Sequence, residues 1–182
     1  MSHELKQTKQ DIVDTNKQLK VAKQKLKRFT SPIKYNAASA PVYDIPLSNE
    51  LQQYTYDTCR YYGVEDYYVL ILAMMWQESN YPPDLFSDTD DYGLMQINIC
   101  NHESLRELLG NIDFLDEYDN IYAGVYVIST LLREYEDEHK ALMAYNMGPS
   151  GARAQWKRGN TTSTYSSSIV AKAKLIELNQ YK

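Results

Sequence analysis

A chain of 182 residues is long enough for one domain with a substantial core and an appendage. Its net charge of −5 is unevenly spread: residues 1–35 carry nine Lys or Arg against three Asp or Glu, the remainder ten against 21. An acidic body without a basic patch excludes nucleic-acid binding, which rests on neutralising phosphates. The three scattered histidines (His3, His102, His139) and two cysteines keep no metal-ligand spacing, so neither a metal nor another cofactor is expected.

Residues 1–30 predict a basic stalk helix. Leu5, Ile12, Leu19 and Leu26 recur every seven residues, with Thr8, Thr15, Ala22 and Phe29 between them, which makes one weak heptad seam. Self-association through it should be weak or nil. Lysine dominates its second half, which suits an anionic surface. This helix, or an anchor upstream of Met1, is expected to hold the chain near a membrane. The N-terminus is polar and has no apolar segment of a secretory signal.

Residues 31–47, with Pro32, Pro41 and Pro46, predict an irregular linker, and residues 48–182 the folded domain. Ser48 is placed to cap a helix with Glu50 in its first turn; Leu51, Tyr54, Thr58 and Tyr62 form its inner stripe and Gly63 ends it. Residues 66–79 come next and are the centre of the reading. Ten apolar or aromatic residues, 67–76, run directly into Glu78, with Asp66 as the expected N-cap. The run is too short to cross a bilayer, which takes about 20 residues. A helix apolar on all sides must be wrapped by others. Pro82 and Pro83 stop it, so Glu78 occupies the last turn, where the helix dipole and an apolar surrounding both favour the protonated carboxyl. That is the environment of a general acid.

Residues 80–92 form a polar loop rich in aspartate. It is no calcium loop: counted from Asp88, the fifth position is Tyr92 and the twelfth Ile99, where oxygen ligands are required. Residues 93–98 read as a short strand or a groove floor, and residues 101–118 as one or two short helices. Asp119 and Asn120 are expected to cap a helix reaching about Glu138, with Ile121, Val125, Ile128, Leu131, Leu132 and Tyr135 inward; Gly124 inside it signals a closely packed neighbour. A helix containing Lys140 to Met147 should stop at Gly148-Pro149. Residues 159–168 read as a Gly/Asn/Thr/Ser loop around Tyr165, before a closing helix from Ile169 to Leu178. The fold class expected is mainly α. Seventeen tyrosines against three Phe and two Trp suit a groove for sugars or peptides. Cys59 and Cys100 are expected as two buried thiols, with a single disulfide open to them if the domain works outside the cytoplasm.

Four islands stand apart: Glu78-Ser79, then Gly93-Leu94-Met95-Gln96-Ile97-Asn98, then Ala144-Tyr145-Asn146-Met147-Gly148, then Tyr165. In order and spacing they resemble the SLT-type lytic transglycosylases, lysozyme-like enzymes that cleave the glycan strands of peptidoglycan. Asn120-Ile121 followed by Gly124 is similar to that family's helix signature. The resemblance covers about residues 45–180. It implies a lysozyme-like helical domain with a groove, acting at the cell envelope on the extracellular or wall-facing side. Glu78 would be the single acid/base, cleaving the β-1,4 bond between N-acetylmuramic acid and N-acetylglucosamine with a 1,6-anhydro product. Substrate contacts are implied for Ser79, Gly93, Met95, Gln96, Tyr145 and Asn146, and Tyr165 would orient the acid.

Two alternatives remain open at this level. One is a muramidase like the goose-type lysozymes, with an Asp of the 88–91 loop as second carboxylate; those enzymes have Asp where this chain has Asn98, which counts against it. The other is a wall-binding module without catalysis.

Overall fold

The computed structural model describes Lys9, Ile12, Val13, Thr15, Leu19 and residues 39–181. Contacts divide the chain into two units, Met1–Lys34 and Tyr35–Lys182. The five described residues of the first unit are helical and exposed; the rest of the expected stalk, and the linker before residue 39, lie outside the described residues. The second unit is mainly α, as expected. Its elements are α1 (Asn49–Tyr61), α2 (Tyr68–Glu78), β1 (Asp91–Tyr92), β2 (Ile97–Asn98), α3 (His102–Leu109), α4 (Glu117–Tyr135), α5 (Glu138–Trp156) and α6 (Thr164–Glu177). No helix among the described residues is long and apolar enough to cross a membrane.

Helix α2 is the axis of the domain. Ile71, Leu72, Ala73, Met74 and Met75 have no exposed surface, and α2 packs on α1 and α6 while α4 packs on α1 and α5. Each large side chain buried this way contributes about 1.5–3 kcal/mol. The helix start differs from expectation: Asp66 lies in a 3-10 turn (Glu65–Tyr67), and α2 begins at Tyr68 without a side-chain cap. Its end is sharper than the prolines alone require. Asn80 (φ 56°) and Tyr81 (φ 73°) are both left-handed, a conformation costing about 1–2 kcal/mol per non-glycine residue. Ser79 Oγ, which donates to Met75 O (3.1 Å), accepts from Tyr81 N (3.1 Å), and the Tyr81 hydroxyl donates to Leu72 O (3.2 Å). The carboxyl-bearing last turn is thereby fixed from its C-terminal side.

Other helix ends follow local chemistry. Ser48 accepts from Leu51 N (3.2 Å), as expected. Asp116, three residues before the expected cap, opens α4 by accepting from Asp119 N, and Asp137 opens α5. The expected stop at Gly148 is real: its φ of 72° and ψ of 157° break α5, but Pro149 then starts a further helical stretch to Trp156, proline being preorganised for a first turn. The loop expected over 159–168 ends early. Ser163 and Ser166 form a reciprocal capping box, so α6 begins at Thr164 and Tyr165 stands on a helix.

Strands β1 and β2 pair antiparallel, Asp91 opposite Asn98 and Tyr92 opposite Ile97. Residues 93–96 are the turn between them, and one side chain of α4 holds it. Asn120 Oδ1 accepts from Met95 N (2.8 Å), while Asn120 Nδ2 donates to Tyr92 O (2.7 Å) and Phe114 O (2.9 Å). The close approach inferred at Gly124 is to Met95: a Cβ there would lie 2.9 Å from Met95 Cβ. Asn120→Ala leaves the buried Met95 amide and two carbonyls unpaired, at about 1–3 kcal/mol each where water cannot replace the partner. Urea unfolding should show a loss of at least about 2 kcal/mol for this variant, together with weakened binding in the groove beside the hairpin.

Candidate active site

A cleft of about 520 Å³ runs between the hairpin, α4 and the broken middle of α5. Glu78, Gln96, Tyr145 and Asn146 line it, with Asp91, Asn98 and Cys100. Three further expected residues lie beneath or behind it. Met95 has no exposed surface and packs on Gly124. Gly93 is buried with φ 72°, and a Cβ on it would stand 2.7 Å from both Asn120 Cγ and Phe114 O. Ser79 is 6% exposed and spends its hydroxyl on the end of α2. All three are buried, and none of them is among the residues that line the cleft.

Gln96 is left-handed (φ 45°). Its amide nitrogen donates to Gly93 O (2.9 Å) and Leu85 O (3.2 Å), so both donors are engaged and the oxygen remains as an acceptor. Tyr145 donates through its hydroxyl to Met95 O (2.8 Å), pinning α5 to the hairpin turn. Asn146, two residues before the break, is exposed on the cleft wall.

Glu78 is the titratable centre. Desolvation raises its carboxyl from the ordinary 4.5 to about 7. The Tyr165 hydroxyl donates to Glu78 Oε1 and works against that rise, the negative charge of Asp91 adds to it, and the positive charge of Lys172 opposes it. Burial holds the hydroxyls of Tyr145 and Tyr165 well above their usual range, helped by the nearby Glu78, so both remain donors.

Asp91 is a cleft residue that sequence reasoning did not separate from its neighbours. Asp88 and Asp90 are exposed on the loop. Asp91 shares a cross-strand pair with Asn98, and both line the cleft. It accepts from Asn98 Nδ2 (2.8 Å) on one oxygen and from Ser87 Oγ (3.1 Å) and Thr89 Oγ1 (2.5 Å) on the other. Period-two alternation on either side of the Gly93 turn could have revealed it. Lys172 was missed because it shares a face with Tyr165 only if α6 starts before Tyr165. Cys100 corrects the expectation of two buried thiols: Cys59 is buried, but Cys100 is exposed on the cleft rim, and both are free.

Residues 60–168 match the family described as "Transglycosylase SLT domain". Among solved structures, the 70 kDa soluble lytic transglycosylase SLT70 from Escherichia coli is similar at a TM-score of 0.47 and 20% identity, over 63% of this chain and 19% of that one. No curated protein matches by sequence.

The raised carboxyl carries a stability cost with a definite sign. Between about pH 4.5 and 7 the folded state holds a proton that the unfolded state has released, so stability falls as pH rises through that window. Glu78→Gln removes this burden. By urea unfolding, the variant should exceed the parent by about 1–3 kcal/mol at pH 8 and match it near pH 4. A gain independent of pH would show that burial does not raise this carboxyl.

Proposed function

Because this chain belongs to the transglycosylase SLT domain family, matched over residues 60–168, we propose that it is a peptidoglycan lytic transglycosylase with Glu78 as its single acid/base. The observation that carries the reading is the half-buried Glu78 carboxyl, raised to about 7 and joined to Tyr165, in one cleft with Gln96, Tyr145 and Asn146. A carboxyl with that affinity for its proton can give it up and take it back near neutral pH.

The protonated Glu78 donates to the glycosidic oxygen between N-acetylmuramic acid and N-acetylglucosamine, and the bond from that oxygen to C1 breaks. The muramic acid's own C6 hydroxyl then attacks C1. The Glu78 carboxylate takes that hydroxyl's proton, which restores the acid and leaves a 1,6-anhydro end. Water is not consumed. The attack is intramolecular, so effective molarity replaces the activation of a water by a second carboxylate. Tyr165 orients the acid throughout. Gln96 accepts from a sugar hydroxyl or amide N–H, and Asn146 offers a donor and an acceptor to an N-acetyl group. Ser79, Gly93 and Met95, assigned as substrate contacts by resemblance, support this surface from behind. The acidic body has no long-range attraction for an anionic wall. A location at the cell envelope, facing the wall, depends on the groove and on residues 1–30 or an upstream anchor for proximity.

One observation favours a second reading. Asp91 shares the cleft with Glu78, as a muramidase with two carboxylates requires. Against it, three hydrogen bonds engage Asp91, out of about four acceptor positions on a carboxylate. It has little capacity left to activate a water.

Product mass separates the two. Digested peptidoglycan should yield fragments one water lighter than reducing-end muropeptides; reducing ends alone would establish the muramidase. Glu78→Gln keeps the shape but has no proton to give, and turnover should fall by about 10²–10⁴-fold. Wall clearance undiminished in that variant would remove Glu78 as the acid, and a parent chain that binds walls without releasing any fragment would be a binding module.

A further inference from the structure

One face of α6 is directed at the end of α2. Tyr165, Ser168 and Lys172 recur at helical spacing, and each meets a residue of α2's last turn. Tyr165 reaches Glu78. Ser168 Oγ and Lys172 Nζ both donate to Gln77 Oε1, at 2.8 and 2.9 Å. The Lys172 ammonium also stands 5.0 Å from the centre of the Trp76 ring, a cation–π distance, and Trp76 is itself packed on Tyr181 with ring centres 4.5 Å apart. A long, flexible side chain is thus fixed at its charged end by three successive residues of α2, Trp76 and Gln77 directly and Glu78 through its charge. Holding a lysine this way costs rotamer entropy, and nothing about packing the two helices requires a cation there.

We propose that Lys172 is a positioning residue for the Glu78 acid: braced by Gln77 and the Trp76 face, it holds a fixed cation beside the carboxyl against the anion of Asp91, and the two charges together set when the acid carries its proton. The proposal rests on the reading of Glu78 as proton donor. The titratable groups facing Glu78 are Tyr165 and Lys172 from α6, Asp91 from the hairpin and Tyr145 from α5, with Cys100 on the rim of the same cleft. Both tyrosines stay neutral across the working range, so Asp91 and Lys172 supply the charges that act on the acid. Their effects on it are opposite in sign, Asp91 raising its proton affinity and Lys172 lowering it. Desolvation pushes the carboxyl up, and two groups of α6 oppose it: the Tyr165 hydrogen bond first, and the Lys172 charge after it.

The test follows Glu78 in the full chain by its side-chain carboxyl carbon in NMR titrations, beside the pH profile of muropeptide release. Lys172→Met keeps an aliphatic stem on Trp76 and removes the charge. Lys172→Gln also keeps a hydrogen bond to Gln77. Both should move the Glu78 titration, and the alkaline limb of the activity profile, upward by about half a pH unit or more. Lys172→Arg, which restores the charge, should return both to the parent position, and Asp91→Asn should move them down. A Glu78 titration unmoved in both uncharged variants, or moved as far by Lys172→Arg, would overturn the proposal and leave Lys172 a packing residue. Unimpaired turnover in Glu78→Gln beside an intact Lys172 effect on the titration would instead sink the acid reading while leaving the charge pairing in place.

Discussion

The constraint from which the site follows is the burial of a single carboxyl at the end of the most apolar helix in the chain. A helix with no polar face has to be enclosed, and enclosing α2 brings α6 along its flank and its last turn to the edge of the cleft. The carboxyl loses water there, and its charged form becomes expensive. Proton affinity near neutrality follows from where the helix ends. The abrupt stop at Ser79, Asn80 and Tyr81 therefore fixes where Glu78 stands at the cleft.

Around this centre the supporting residues divide by what their polar atoms do. Tyr165 and Lys172 act on the carboxyl from α6. Tyr145 and Asn120 both bond the Met95 backbone, one at its carbonyl and the other at its amide, so α4 and α5 grip the same turn. Met95 fills the space Gly124 leaves, and Gly93 leaves the space Asn120 fills. The string of residues 93–98 is therefore a packing solution in its first half, Gly93 to Met95, and sets Gln96, Ile97 and Asn98 along the cleft, Gln96 with its acceptor free.

Much of this was legible in the residues. Ser48 caps where its hydroxyl suggests, the run before Glu78 is buried, and Gly124 marks a close approach. Period and composition report such features because they are local. What escaped was tertiary or depended on polar competition. The serines and threonines before Tyr165 read as loop because they favour turns in isolation, yet Ser163 and Ser166 satisfy each other's backbone and start a helix. Ser79 and Met95 lie in stretches singled out by resemblance, but only the packing of α4 and the turn after α2 show that they are buried. Asp91 differs from Asp88 and Asp90 only through the strand register. Cys100 and Cys59 differ only in which side of the fold they meet.

The bond from Met95 N–H to Asn120 spans 25 residues. Releasing that hydrogen to solvent requires the hairpin and the first turn of α4 to open together, so the turn cannot breathe as an independent loop. Amide exchange at this position should approach the rate set by global unfolding, in contrast to that of ordinary surface turns. The floor of the cleft then lasts as long as the fold does, and its shape is set before anything enters it.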